Sequence, residues 1–189
     1  MGRPMKFEAD AAIDRAMEVF WRRGYAGTTP QALVDELGIG KGSFYNTFES
    51  KHGLFTLALE RYKDNRIAYL RDTLEPEGPL RDRLDAAMRE LTGVGRHQQG
   101  CLMVNATAEL TQTDEAVAAI ADSLFTGIES AFRDAIERGQ STGEFTGVQD
   151  AQHAAASLLT TLIGSSILLK MGTDPERAIG AMRDAVLAL

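Results

Sequence analysis

The stretch from Thr28 to Ser50 constrains the fold more than any other part of the chain. Thr29 offers a side-chain oxygen as an N-cap, and Pro30 suits the first helical turn, where a missing N–H costs little. The helix so opened runs for eight residues, with Leu33, Val34 and Leu37 facing inward, before Gly38-Ile39-Gly40 breaks it. A second short segment follows from Lys41 to Phe48, in which Phe44 and Phe48 stand four apart and can anchor one face in a core. Two short helices joined by a glycine turn make a helix-turn-helix, and its second member is where sequence-reading contacts are usually made.

The rest of the chain shows helical periodicity too, and no β-branched or aromatic runs bounded by turns. The spacing predicts an all-α fold of about nine helices. The first runs from about Glu8 to Arg23, with Ile13, Ala16, Met17 and Phe20 on one face and Gly24 as its stop. Ser50 caps a long helix from Lys51 to Leu74, and Pro76-Glu77-Gly78-Pro79 is a turn by composition. Further helices are expected over Leu80–Val94, Cys101–Leu110, Thr113–Arg138, Asp150–Met171 and Pro175–Leu189. The longest uncharged apolar run, Ala154 to Leu169, has 16 residues, three Ser and two Thr among them. That is short of the ~20 a membrane helix needs, so a helix buried in protein is expected and no membrane partner.

Net charge at first argues against nucleic acid, because the whole chain carries −7. Divided, the charge reads differently: residues 1–53 hold seven Lys and Arg against seven Asp and Glu, and residues 54–189 hold thirteen against twenty. Lysine is more uneven still, with Lys6, Lys41, Lys51 and Lys63 early and only Lys170 afterwards. Two regions with different partners follow, 1–53 and 54–189.

With Phe44 and Phe48 turned inward, Lys41, Ser43, Tyr45 and Asn46 are left outward to differing degrees. Lys41 suits guanine or phosphate, Asn46 suits adenine, and Ser43 and Tyr45 reach phosphates. Gly42 lets the helix backbone approach a groove closely, and the helix start at Ser50 and Lys51 offers amide donors and a cation to another phosphate. Three blocks then stand out: Gly24-Tyr25-Ala26-Gly27-Thr28-Thr29, Leu37 through Phe48, and Ser50-Lys51-His52-Gly53-Leu54-Phe55. In order and spacing they resemble the DNA-binding domain of TetR/AcrR-type transcriptional regulators. The resemblance implies a homodimer on double-stranded operator DNA, a repressor more often than an activator, and a divergent C-terminal domain that takes a small effector. It makes Thr29, Gln31, Lys41, Gly42, Ser43, Tyr45, Asn46 and Lys51 the candidate DNA contacts. Gly40 departs from the serine common before the lysine, and Gly2-Arg3-Pro4 with Lys6 resembles the basic arm that often precedes the first helix.

In the C-terminal region, Leu158, Leu162, Ser165 and Leu169, with Ile179, Met182 and Val186 on the last helix, form a stripe suited to an isologous four-helix interface between two copies or to an intramolecular core. Cys101 is the only cysteine and so forms no intramolecular disulfide. It stands at an expected helix N-terminus, which favours the thiolate. The Gly100-Cys101-Leu102 run resembles a TetR branch in which some members sense electrophiles or oxidants through this cysteine, and Lys170 is its candidate partner. The alternatives are a small buried hydrophobe, and an apolar effector held noncovalently by Met88, Leu91, Met103, Leu124, Phe125 and Leu162 with Asn105, Thr107 or His153 as polar groups.

Enzyme chemistry finds no support. His52, His97 and His153 lack metal-binding spacing, one cysteine makes no zinc cluster, and no nucleophile elbow, P-loop or dinucleotide fingerprint occurs. No catalytic residue, metal or cofactor is expected. The charged-then-apolar leader of an exported chain is not present at the N-terminus, so a cytoplasmic protein is expected. The competing reading is a helical protein-interaction adaptor whose helix-turn-helix no longer binds DNA.

Overall fold

The computed structural model describes residues 3–75, 77–93, 99–147 and 150–189, with side chains from residue 9 onward. Among the described residues there are nine α-helices and no strand: α1 Arg3–Arg23, α2 Pro30–Leu37, α3 Lys41–Phe48, α4 Lys51–Leu74, α5 Leu80–Thr92, α6 Leu102–Leu110, α7 Glu115–Thr142, α8 Ala151–Lys170 and α9 Pro175–Leu187. The expected N-terminal arm is part of α1, and the side chains of Arg3 and Lys6 lie outside the described residues, as do Gly2 and the expected helix end at Val94.

The punctuation of the first fifty residues works as the residue types dictate. Thr29 caps α2 by accepting from the Ala32 amide at 3.1 Å. Gly38, at φ +65°, takes the left-handed conformation that ends α2 and returns its amide to the Val34 and Asp35 carbonyls. Ser50 accepts from the Gly53 amide at 2.9 Å and starts α4. Between α3 and α4, Glu49 sits at φ +63°, ψ −44°, with the Ser50 amide bonded to the Phe48 carbonyl at 2.6 Å. This γ-turn is a strained conformation for a residue with a side chain. It fixes the angle between α3 and α4.

A cluster of Phe20, Phe44, Phe48, Leu33, Leu54 and Phe55, all at most 4% exposed, ties α1–α3 to the first two turns of α4. Farther along α4, Tyr62, Leu70 and Leu74 are buried in the second body, where α4, α5, α7, α8 and α9 pack together. The boundary expected at residue 53 therefore cuts a helix that serves both sides.

Both limits of α7 differ from the sequence reading. α7 is capped by Asp114, which accepts from the Val117 amide at 3.1 Å, while Thr113 only donates to the Leu110 carbonyl. At its other end α7 passes through Gly139, and the Phe145 ring packs into the space that a Cβ there would take. Gly143, at φ +77°, is the stop.

Candidate nucleic-acid interface and effector site

Lys41, Gly42, Ser43, Tyr45 and Asn46 of α3, with Thr29 and Gln31 at the start of α2, form one exposed set, while Phe44 and Phe48 are buried beneath it. The Tyr45 ring meets Phe44 edge-on at 5.2 Å and keeps its outer part in solvent. Gly40 makes no side-chain cap, so the start of α3 is left uncovered. Gln31 is held by Asp35 at 2.9 Å.

Lys51 is placed differently from the expectation. Its ammonium donates to the Tyr25 and Thr28 carbonyls, 3.0 Å each, and stands 3.9 Å over the Tyr25 ring. The Tyr25 carbonyl also accepts from the Thr28 amide at 3.1 Å, and the cation, bonded to both carbonyls, clamps that turn to α4.

The expected interface stripe requires correction. Leu158, Leu162, Ser165, Leu169, Ile179, Met182 and Val186 are each 8% exposed or less, packed into the protomer's own core. A helix apolar almost all round has more than one candidate face, and α8 spends this one on α7 and α9. By length and hydropathy α8 could cross a bilayer, yet its packing is that of a core helix. Ile167 and Leu168 of α8 and Leu187 of α9 remain exposed.

Cys101 is the residue before α6 and is buried. Its sulfur lies 3.2 Å from the Tyr62 hydroxyl. The Arg66 guanidinium covers the Tyr62 ring at 4.8 Å and the Trp21 ring at 5.7 Å, and meets Glu90 at 3.4 Å. Burial, with the neighbouring Cys101, pushes the Tyr62 phenol far up, so it stays neutral. Burial opposes the Arg66 charge, but Tyr62, Cys101 and Glu90 outweigh it and keep the guanidinium protonated.

Lys170 does not join this group. It is exposed, and its ammonium donates to Asn105 Oδ1 at 2.8 Å. The cation beside the cysteine is Arg66, four residues after Tyr62 on the buried face of α4. The i, i+4 spacing of Tyr62 and Arg66 is the signal in the sequence that puts them on one face of α4. Around Tyr62, Arg66 and Cys101 lies a narrow apolar cavity walled by Leu91, Leu124, Phe125, Leu162 and others. Its free space for a water-sized sphere is about 10 Å³, the room of roughly one water molecule. Of the expected apolar lining, Met88 and Met103 are fully buried and do not face the cavity. Asn105 bonds Gln99 and Lys170, Thr107 bonds the Met103 carbonyl and His153 is exposed, so none of the three polar candidates lines it.

The segment around α6 holds the first body at three points. The Trp21 indole N–H donates to the Gly100 carbonyl at 2.9 Å, the Ala26 amide to Glu109 Oε2 at 3.0 Å, and His52 Nε2 pairs with Asp114 Oδ2 at 2.6 Å. Burial would raise the Asp114 carboxyl, but the Val117 amide, His52 and the Ala116 amide together hold it below its ordinary range.

Residues 12–58 match the family of bacterial regulatory proteins, tetR family, and residues 80–185 match the tetracyclin repressor-like C-terminal domain. The chain belongs to the TetR family. It is a DNA-binding transcriptional regulator and not an enzyme. The transcriptional repressor ComR of Escherichia coli is 30% identical over 181 residues, 93% of this chain and 86% of ComR. A cysteine-substituted CifR, solved with 26-bp double-strand operator DNA, is 32% identical with a TM-score of 0.80 over 95% of both chains. The reduced form of NemR from Escherichia coli shares the fold, with 23% identity and a TM-score of 0.84 over 94% of each chain. TetR regulators are dimers with small-molecule effectors.

Proposed function

We propose that this TetR-family protein is a cytoplasmic homodimeric repressor that leaves a near-palindromic operator when Cys101 is modified by a small oxidant or electrophile. Residues 1–53 read DNA through the exposed set on α2 and α3, and residues 54–189 sense and dimerise. Lys51 contributes by holding the α1–α2 turn. The dimer face comprises Ile167 and Leu168 of α8 with Leu187 of α9, the large apolar side chains left uncovered there.

The observation that carries the sensing reading is the position of Cys101 at the start of α6. The Gly100 carbonyl before it holds Trp21, and Glu109 and Asp114 at the other end hold Ala26 and His52. A group added at the sulfur has almost no room, so α6 must shift, and the contacts that set the angle of the reading head shift with it. Effector thereby favours a dimer whose two α3 helices no longer match half-sites about one helical turn apart. The relatives named as repressors and the reduced NemR structure support the same direction. The small cavity favours a reagent of peroxide size over a bulky quinone, which must displace Phe125 or its neighbours to reach the sulfur.

The test starts with selection of operator DNA from a random pool by the purified dimer, followed by gel shifts. Specific binding should weaken with salt, log K falling by about 0.9 per phosphate neutralised, and should be lost on joint replacement of Lys41 and Tyr45 by Ala. Peroxide should release the wild type and leave Cys101→Ser bound. Release of Cys101→Ser at the same dose would overturn thiol sensing, and a protein with no selectable operator would be the adaptor instead.

A further inference from the structure

A second cavity lies where the reading head meets the effector domain, and the thiol plays no part in it. It is a cleft of about 470 Å³ walled by Trp21, Arg22, Arg23, Gln99, Asn105 and Lys170, together with Gly24 and Glu109. Pockets for small ligands fall at about 300–1,000 Å³ and favour domain junctions. The buried cavity beside Cys101, with about 10 Å³, is far below that range.

The chemistry of the walls is unlike the rest of a chain with net charge −7. Three cations stand against two carboxylates, Glu109 in the wall and Glu36 beside the arginines, an excess of one positive charge. Arg22 and Arg23, ending α1, share the single carboxylate of Glu36 at 3.4 and 2.8 Å, which leaves that pair with excess positive charge. Lys170, ending α8, forms no ion pair among the described residues. It is instead positioned by a neutral relay, donating to Asn105 Oδ1 at 2.8 Å while Asn105 Nδ2 donates to the Gln99 carbonyl at 2.9 Å. The relay uses one of three ammonium donors and neutralises nothing. Glu109 has one oxygen committed to the Ala26 amide. The base of the cleft is rigid, because Trp21 is 4% exposed and bonded to the Gly100 carbonyl.

We infer that this cleft binds a compact anion of at least two charges, of carboxylate or phosphate type, with one charged end on Arg22 and Arg23 and another on Lys170. Guanidinium groups suit the planar or tetrahedral oxyanion, and the ammonium acts as a point charge. Such a ligand ties the end of α1 in the head to the end of α8 in the effector domain. Its affinity is therefore linked to operator affinity, and the linkage is reciprocal.

The test uses the full-length protein at constant ionic strength, adjusted with chloride. Citrate and inorganic phosphate are titrated separately by calorimetry, and the anion that saturates at the lower concentration assigns the carboxylate or the phosphate class. The expected result is saturable binding by at least one, weakened tenfold or more in Lys170→Ala, restored in part by Lys170→Arg and unchanged in Cys101→Ser. Far-ultraviolet dichroism checks that each variant folds. Operator affinity should then shift severalfold with the bound anion in the wild type and stay constant in Lys170→Ala. Absence of saturable binding by either anion overturns the proposal. Binding undiminished by Lys170→Ala, or a ligand affinity identical in free and operator-bound protein, does so too.

Discussion

The reading head and the effector domain are each held by close packing, and they are joined by the unbroken helix α4, by the edge-on contact of Trp21 with Tyr62 at 5.4 Å and by a few polar contacts around α6. Inside the head, aromatic rings do most of the packing: Phe20 meets Phe55 edge-on at 4.8 Å, and Phe44 meets Phe48 at 5.8 Å. Inside the effector domain, long aliphatic faces of α7, α8 and α9 interlock. Around α6, where the two bodies meet, the Trp21, Ala26 and His52 contacts are each one hydrogen bond. A packed core tolerates little displacement, whereas a hydrogen bond of modest net worth can be exchanged for water. The polar contacts around α6 can therefore exchange while the packing along α4 persists.

The largest effects should come from breaking the cores. Phe44→Ala is expected to cost about 3–5 kcal/mol and Leu162→Ala about 2–5 kcal/mol in urea unfolding. The first should abolish operator binding at temperatures where the dimer persists; equal loss of dimer and operator binding in both variants would mean that the two bodies are not separable. Next comes the outer face of the effector domain. Ile167→Asp should turn the dimer into a folded monomer by light scattering, while Met182→Asp, at 0% exposure, should unfold the protomer. A dimeric Ile167→Asp would move the interface elsewhere.

Smaller effects belong to the clamp and the joint. Lys51→Met removes two charged hydrogen bonds to the α1–α2 turn and should cost about 1–3 kcal/mol, with operator affinity falling even at low salt. The joint itself is read by Trp21, the single tryptophan of the chain. Asp114→Ala removes the α7 cap, worth about 1 kcal/mol, and the bond to His52, and should shift Trp21 fluorescence at neutral pH. In the wild type the Asp114 carboxyl is depressed, so its contribution is complete above the ordinary carboxylate range near ~4. It is lost only as pH falls below that range, through the depressed value. Fluorescence that stays constant as pH falls through the acid range would show that the joint does not rest on Asp114.

The head was almost fully legible because each of its signals is local. A cap, a proline, a left-handed glycine and two phenylalanines four apart act within a few residues, and polar residues mark the opposite face of α3. The effector domain was legible as helices and not as surfaces. In α8 the apolar residues run nearly all round, so periodicity offered several faces and no means of choosing the one given to α7 and α9. The partner of Cys101 was equally hidden. Lys170 is the only lysine after Lys63, whereas Arg66 reaches the thiol's neighbourhood only because α4 continues from the head into the second body.

The amino-acid sequence by itself determined the all-α fold, the helix-turn-helix, the exposed polar face of α3 and the placement of Cys101 at a helix start. Each rests on hydrogen bonds and periodicities between residues close along the chain. The tertiary structure alone decided that Lys51 turns inward, that the stripe from Leu158 to Val186 is core, that Tyr62 and Arg66 attend the thiol and that Lys170 joins Arg22 and Arg23 in a cleft. Those outcomes depend on which distant surfaces exclude water together, and burial energy is non-directional.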